Sequence, residues 1–250
     1  MDSKLYKEFS EINESHWWFK GRMKILESIF EKFLGGKGNG GQMQILDVGC
    51  GTASYFRILE KYGNVSGTES SQEVIDELKN KGLKNTFFRA ELPGMKLGRA
   101  FDCITAFEIL EHIEEDKKAV VDIYAHLNNG GLLIGTVPAF KWLWSRHDEL
   151  AHHKRRYTGY ELKNKLEEAG FKVMKISYYN TFLFPIAAPV RLLKKTILKN
   201  VVPISDFKAT AGPFDKIFEN VFAFERHWLK RFNFPLGFSL LFVASKKLHG

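Results

Sequence analysis

The stretch Ile45-Leu46-Asp47-Val48-Gly49-Cys50-Gly51-Thr52-Ala53 constrains the fold more than any other part of the 250-residue chain. A short apolar run that ends abruptly in spaced glycines is the pattern of a buried strand feeding a tight turn. Gly49 and Gly51 carry no Cβ, so backbone there can approach a ligand closely. The pattern predicts a helix opening at Ala53, and strand, glycine turn and helix together make the nucleotide-site construction of open α/β sheets. A second acid, Glu69, ends the next strand about twenty residues on, where a carboxylate can accept bonds from ribose hydroxyls.

Strands and helices then alternate. Strands are predicted over Gln44–Val48, Asn64–Gly67, Thr86–Arg89, Phe101–Ala106, Leu132–Thr136, Lys172–Ser177 and Ser239–Ser245. Helices are predicted over Ala53–Lys61, Gln72–Lys81, Asp116–Leu127 and Gly159–Ala169. Units of this length imply parallel strands joined by right-handed crossovers, hence an open α/β sheet. The chain reads as one domain in four parts. Residues 1–41 are helices, with apolar faces at Leu5, Phe9, Ile12 and at Met23, Leu26, Phe30, Phe33, closed by a glycine joint at Gly35–Gly41. Residues 42–178 form the core, 179–237 an insertion expected to fold over the sheet as a cap or lid, and 238–250 the last strand.

Composition narrows the class. A 44% hydrophobic and 26% charged content suits a soluble globular chain and excludes a largely disordered one. Two cysteines, Cys50 and Cys103, lie inside apolar stretches, as in a reduced cytosolic protein. The start Met1-Asp2-Ser3-Lys4 lacks a signal-peptide layout, and the longest uncharged run, Ile176–Val190, is too short for a membrane span. A cytoplasmic location is expected. Lysine and arginine outnumber acids 37 to 29, which allows nucleic acid, an anionic membrane or a phosphorylated substrate as partner.

Two ligands could occupy the glycine turn. A dinucleotide needs its pyrophosphate at the helix start, where Asp47 would repel it, and Ser54 stands at the sixth position of the dinucleotide fingerprint. S-adenosylmethionine has no phosphate and carries a sulfonium and an amino-acid end, so an acid is welcome there. On these residues the chain resembles the class I S-adenosylmethionine-dependent methyltransferases. Asp47–Thr52 looks like their first motif, Glu69 matches the ribose-binding acid, Phe101–Ile113 looks like the fourth strand with its following loop, and Asn129–Ile134 matches the turn into the fifth strand. Ala53 replaces a third glycine, and Arg89-Ala90-Glu91 lacks the aspartate many members carry before the alanine. The resemblance implies a Rossmann-like, mostly parallel seven-stranded sheet with an antiparallel last strand. It implies S-adenosylmethionine contacts from Asp47, Gly49, Cys50, Gly51, Glu69, Ser70, Ala90, Glu91 and Phe107.

A narrower resemblance joins His16-Trp17-Trp18-Phe19, Arg22, and Val137–Asp148 through His153-Lys154-Arg155-Arg156-Tyr157 to a bacterial and archaeal branch of the type 11 methyltransferases. Its members often serve glycan or lipid biosynthesis. The start also resembles quinone-biosynthesis O-methyltransferases, which implies that Arg22 binds the methionyl carboxylate. The acceptor implied is a small, lipid-linked or glycan-linked molecule methylated at oxygen, with no obligate protein partner.

An oxygen nucleophile must lose a proton, and histidine is the usual base. Ligands lie over the carboxyl ends of the strands. This selects His147 beside Asp148 as first candidate, then His153 and His112, with Trp18, Trp144, Arg155, Arg156 and Tyr157 as acceptor contacts. Glu111-His112 also reads as a structural pair at a helix start. His147, Asp148, His152 and His153 follow no zinc spacing, and no metal is expected. Apolar Phe182–Val190 followed by Arg191, Lys194, Lys195 and Lys199 suits peripheral contact with an anionic bilayer, or a lid packed on its own domain. Two rival functions stay open: an RNA-modifying methyltransferase and a non-catalytic cofactor-fold module. Base methylation is disfavoured because Ala106-Phe107-Glu108-Ile109 stands where an Asn/Asp-Pro-Pro-aromatic motif would be needed.

Overall fold

The computed structural model describes residues 16–36, 43–197, 212 and 214–247. The apolar face at Leu5, Phe9 and Ile12, and most of the glycine joint, lie outside the described residues, as do Lys199 and the side chains of Lys194 and Lys195. Helix α1 (Trp17–Leu34) opens at His16, whose Nδ1 accepts the Trp18 N–H at 3.2 Å. Ile25, Leu26, Ile29, Phe30 and Leu34 recur at three- and four-residue steps and are fully or almost fully buried.

The core follows as β1 (Met43–Val48), α2 (Phe56–Leu59), β2 (Gly63–Glu69), α3 (Gln72–Asn80), β3 (Thr86–Arg89), β4 (Phe101–Phe107), α4 (Asp116–Ala125), β5 (Leu127–Pro138), α5 (Arg146–Leu150), α6 (Gly159–Glu168) and β6 (Lys172–Tyr179). Helices α7 (Phe184–Ile197) and α8 (Asp215–Leu229) precede the last strand, β7 (Ser239–Ser245). The seven strands stand in the order β3-β2-β1-β4-β5-β7-β6. The first five are parallel, and β7 runs antiparallel to both neighbours. The expected Rossmann-like sheet with its reversed last strand is thus present.

Alternate residues of each strand serve opposite faces, which divides the core into two layers. Ile45, Cys103, Ile134, Leu241 and Val243 pack with α1 and with Phe222 and Leu229 of α8. Leu46, Ile104, Leu133 and Phe242 pack with Val120 and Ile123 of α4 and Leu162 and Leu166 of α6. Central strands covered on both sides read as continuous apolar runs, which is why β1 and β4 stand out in the sequence.

One expected helix is shorter than the pattern suggested. Ala53–Lys61 reduces to α2, because Gly49, Gly51 and Ala53 all hold left-handed φ angles of +64°, +50° and +56°. Three left-handed residues in alternation coil the loop and postpone the helix to Phe56. In the insertion, α8 lies along α1, and the contact is close. A Cβ added at Gly21 would fall 2.6 Å from the Phe222 ring, so glycine is what admits the aromatic there. Lys24 and Glu219 pair at 2.5 Å beside it. Buried Glu225 accepts the N–H groups of Asn180, Thr181 and Phe182 at 2.6–2.8 Å, fixing the chain between β6 and α7.

Candidate active site

The carboxyl ends of β1, β2, β4 and β5 converge on the coiled loop at Gly49–Ala53. Asp47 closes the floor. Its Oδ1 accepts the Thr105 hydroxyl at 2.6 Å, while Oδ2 is buried with no hydrogen-bond partner. Burial pushes this carboxyl up to about 7, against the opposing pull of the Thr105 hydroxyl and the Arg22 charge. Thr68 fixes the loop from β2, accepting the Gly49 N–H on its hydroxyl and the Cys50 N–H on its carbonyl. Cys50 sits with its Sγ 2.7 Å from where a Cβ on Gly67 would lie, so its thiol faces β2.

The two glycines differ in what a side chain would meet. At Gly49 a Cβ would lie 2.5 Å from Ile109 Cδ1, whereas at Gly51 the sole atom within 4 Å is the Gly49 carbonyl oxygen, at 3.9 Å. Gly51 therefore borders open space. Glu69 is held beside it: one carboxylate oxygen accepts the Gly51 N–H at 3.3 Å, and the other accepts the N–H groups of Ser70 and Ser71. Ala90 follows, its N–H donating to the Glu69 carbonyl at 3.1 Å; Glu91 is exposed. Phe107 is buried against Tyr55, ring centres 4.5 Å apart.

Arg22 enters from α1. Its guanidinium donates to Thr136 Oγ1 at 2.5 Å and to Glu108 Oε1 at 3.2 Å, and lies 4.9 Å from the Trp18 ring centre. Trp18 also stacks on Phe222. Arg22 Nε is buried and has no hydrogen-bond partner. One orphan donor and one orphan acceptor, Arg22 Nε and Asp47 Oδ2, thus lie at this end of the sheet, near enough for the Arg22 charge to act on the Asp47 carboxyl. Buried polar atoms are rarely left unsatisfied, and this pair matches the carboxylate and ammonium of an amino-acid end. The residues present fit S-adenosylmethionine.

A second group of side chains lies beyond β4 and β5. Asp148, fully buried, accepts a two-pronged bond from Arg156 Nε and Nη2 at 2.7 and 2.9 Å, and the Ser145 N–H at 2.8 Å. His153 Nδ1 lies 2.8 Å from the same carboxylate. Burial works to raise Asp148, but the bonds from His153 and Arg156 outweigh it and hold the carboxyl well below its usual range. The His147 ring stands edge-on to His153 at 5.9 Å, and His112 at 4.7 Å. Burial and the neighbouring His153 pull His112 down to about 4. Trp144 is half-buried next to this group.

The expected acceptor contacts look inward. Arg156 makes its forked bond to Asp148 and a third bond to the Ala139 carbonyl. Arg155 pairs with Asp116 at 3.0 Å, and the Tyr157 hydroxyl lies 2.7 Å from the same carboxylate. These three side chains hold the loop together rather than standing free toward an acceptor, because two buried acids require their positive and donor groups. Arg191, expected on a cationic rim, donates to Ser145 Oγ at 2.6 Å and lies over Phe238. The residue the sequence reading left out of the site is Glu111. It follows β4 in a short 3₁₀ turn (Leu110–His112), is wholly buried, and neither carboxylate oxygen has a hydrogen-bond partner. Burial and the facing Glu108 push its carboxyl well above the ordinary range. Its signal was an acid between Leu110 and Ile113, where burial is the default.

A cleft of about 740 Å³ also opens at the amino ends of β1 and β2, lined by Gln44, Asn64, Ser66 and Asn85. Ligands of open α/β sheets lie at the opposite end of the strands, and the orphaned polar atoms lie there too.

The sheet order, the reversed last strand and the acid-flanked glycine loop define the class I, S-adenosylmethionine-dependent methyltransferase architecture. Residues 20–176 match the family described as "Methyltransferase domain", and the chain belongs to that family. It is 26% identical over 155 residues to a ubiquinone biosynthesis O-methyltransferase of Rickettsia canadensis, covering 56% of this chain and 66% of that one. Its alignments span between 58% and 66% of the length of the first three such relatives. Among solved structures, the plantazolicin methyltransferase BpumL bound to SAH superposes with a TM-score of 0.62 at 14% identity, over 98% of this chain and 91% of that one. A methyltransferase of Clostridium acetobutylicum gives 0.59 at 14% identity, over 97% and 99%. Both likenesses show the fold.

Proposed function

We propose that this protein transfers the methyl group of S-adenosylmethionine to a hydroxyl oxygen of a small acceptor carrying an apolar, lipid-like portion. The observation that carries the donor assignment is the orphan pair Arg22 Nε and Asp47 Oδ2, one buried donor and one buried acceptor at the glycine loop. Oxygen as the methylated atom is supported by the curated relatives named above, which are O-methyltransferases.

Methyl transfer from a sulfonium is an in-line displacement, so the protein mainly aligns nucleophile, carbon and leaving sulfur. The donor supplies an activated methyl carbon. Arg22 and Asp47 would hold its amino-acid end and Glu69 its ribose. It would supply the methyl carbon for displacement by the acceptor oxygen, and His147 would take the proton that the acceptor hydroxyl loses. His147 suits this task better than its neighbours. His112 is pulled to about 4, which makes it a poor proton acceptor, and His153 is tied to Asp148.

An apolar acceptor also fits the outer surface. Ile186, Val190 and Leu193 recur along one stripe of α7 and are 72%, 46% and 59% exposed. Phe182, Phe224, Trp228 and Phe232 are a second exposed apolar group, in ring contact with one another or with Phe234. Such a patch supports peripheral contact with a bilayer. No helix among the described residues is long and apolar enough to cross a membrane.

The test is calorimetric titration of S-adenosylmethionine, followed by a labelled-methyl screen of phenols, catechols and polyprenylated hydroxy-aromatics. The proposal expects binding weakened in Arg22→Met and Asp47→Asn, and transfer to a hydroxyl lost in His147→Ala with donor affinity intact. Equal donor affinity in all variants would overturn the pocket. Label on nitrogen or carbon would overturn the chemistry.

A further inference from the structure

Tyr179 is the last residue of β6, and its side chain belongs to the face of the sheet that packs on α1 and α8. Strand alternation sends it there, while its neighbour Tyr178 serves the opposite face and stacks on Phe140. The Tyr179 side chain is 0% exposed, and its ring lies nearly parallel to that of Phe222, centres 6.0 Å and planes 14° apart. A ring enclosed in this way keeps its place, so the fold fixes where its hydroxyl stands.

That place is beside Arg22. Burial works to lower the Arg22 pKa; of the groups that raise it, Tyr179 acts most strongly, ahead of Tyr55 and of Glu108 at 3.2 Å. Burial in turn pushes the Tyr179 hydroxyl up, against the pull of the Arg22 charge and of the Thr136 hydroxyl, so the phenol keeps its proton. Thr136 acts on it as a donor, and the Thr136 oxygen already receives the Arg22 guanidinium at 2.5 Å. The phenol proton is left without an acceptor, for no hydrogen-bond partner lies within reach of Tyr179 Oη. A buried phenol in that position is unfavourable, and phenylalanine would fill the same space without the penalty. Arg22 Nε is a second buried donor with nothing to receive it. Two such donors at one positive charge call for an anion with at least two oxygens.

We propose that the Tyr179 hydroxyl is a second hydrogen-bond donor, with Arg22, for the carboxylate on the amino-acid end of S-adenosylmethionine. A carboxylate offers two oxygens in one plane, so Arg22 Nε and Tyr179 Oη can each meet one. The neutral phenol adds a directed bond without adding charge. The insertion thereby enters donor binding, because Phe222 of α8 packs on the tyrosine ring and on Gly21, next to Arg22 in α1. The assignment rests on the donor pocket proposed above and adds to it a residue from the far edge of the sheet.

The experiment compares wild type with Tyr179→Phe, which removes one oxygen and keeps the ring. Calorimetric titration should show S-adenosylmethionine and S-adenosylhomocysteine bound about tenfold more weakly by the variant, as for a lost bond to a charged group. Decarboxylated S-adenosylmethionine, which keeps ribose, sulfonium and ammonium, should bind both proteins alike. Thermal unfolding without ligand should come no lower in the variant, because the hydroxyl has no partner in the protein to forfeit. Tyr160→Phe, at an exposed tyrosine of α6, should match wild type throughout. Equal affinity of wild type and Tyr179→Phe for S-adenosylhomocysteine would overturn the assignment and leave the donor pocket standing. Equal weakening toward the decarboxylated ligand, or a lower unfolding midpoint in Tyr179→Phe, would do the same, since either shows a hydroxyl that serves the fold. Wild type that binds neither S-adenosylmethionine nor S-adenosylhomocysteine would overturn the pocket and this assignment together.

Discussion

The contact proposed between Asp47 and the donor would make binding a proton-linked event, and the slope of that linkage can be worked out in advance. In the free protein burial holds its carboxyl up at about 7. A ligand with positive charge beside Oδ2 favours the ionised form, so binding below pH 7 must expel a proton. The fraction already ionised is about one half at pH 7 and about one eleventh at pH 6. Affinity should therefore fall about tenfold between pH 8 and pH 6, or ~1.4 kcal/mol, with nearly one proton released per ligand at pH 6. Stability of the free protein runs with the same group. Its folded pKa lies above the unfolded value near 3.8, so the fold holds a proton the unfolded chain has lost, and this contribution declines as pH rises from about 4 to 7. Calorimetry in two buffers of different ionisation enthalpy counts the protons directly. Asp47→Asn cannot ionise and should bind weakly and without slope over pH 6–7.5. A flat wild-type profile, or a slope that persists in Asp47→Asn, would refute the reasoning.

Asp148→Asn should destabilise the fold by about 3–5 kcal/mol in urea, because Arg156 is left buried without its anion. The carboxyl is held below its usual range, so its contribution is present above about pH 4 and is lost as pH falls through the depressed folded value; the variant and wild type should converge in acid. Gly49→Ala combines a φ of +64° with a Cβ 2.5 Å from Ile109, and should cost about 1–3 kcal/mol. Adding Ile109→Ala should recover the part due to collision and none of the part due to φ, which a double-mutant cycle reads out. Trp228→Ala with Ile186→Ala should abolish sedimentation with anionic vesicles while leaving donor affinity unchanged; wild type that stays in the supernatant at low salt would refute membrane contact.

The central strands were readable because they are covered on both faces and so spell themselves as apolar runs. Thr86–Arg89 and Ser239–Ser245 occupy the bounds their composition suggested. What local pattern missed was conformational. Ala53 adopts a left-handed φ that its chemistry disfavours, so nothing in the letters announced that the loop would coil and shorten α2 to four residues. Asp47, Gly49, Gly51 and Glu69 stand together as the sequence suggested, since they lie at the ends of adjacent parallel strands. Arg22 was reached only by resemblance; its partner Thr136 is 114 residues away and no spacing rule links them.

Arg155 and Arg156 turn inward for a related reason. A run such as Lys154-Arg155-Arg156 is solvated unless acids are buried beside it, and burial of Asp148 and Asp116 is a tertiary fact. The capping box from Ser145 to Asp148 is visible in the letters, and it places that acid at the start of α5. Only the fold turns the acid toward Arg156. The consequence separates two kinds of mutant that sequence alone would pool. If Arg155 and Arg156 touched the acceptor, removing them would raise KM and spare the fold. Because they saturate the acids that fix His153 and the loop beneath Glu111, their loss should lower kcat and stability together, with KM following only as the loop loosens. On the proposed function, the loop's charges act on the reaction through position rather than by touching the acceptor.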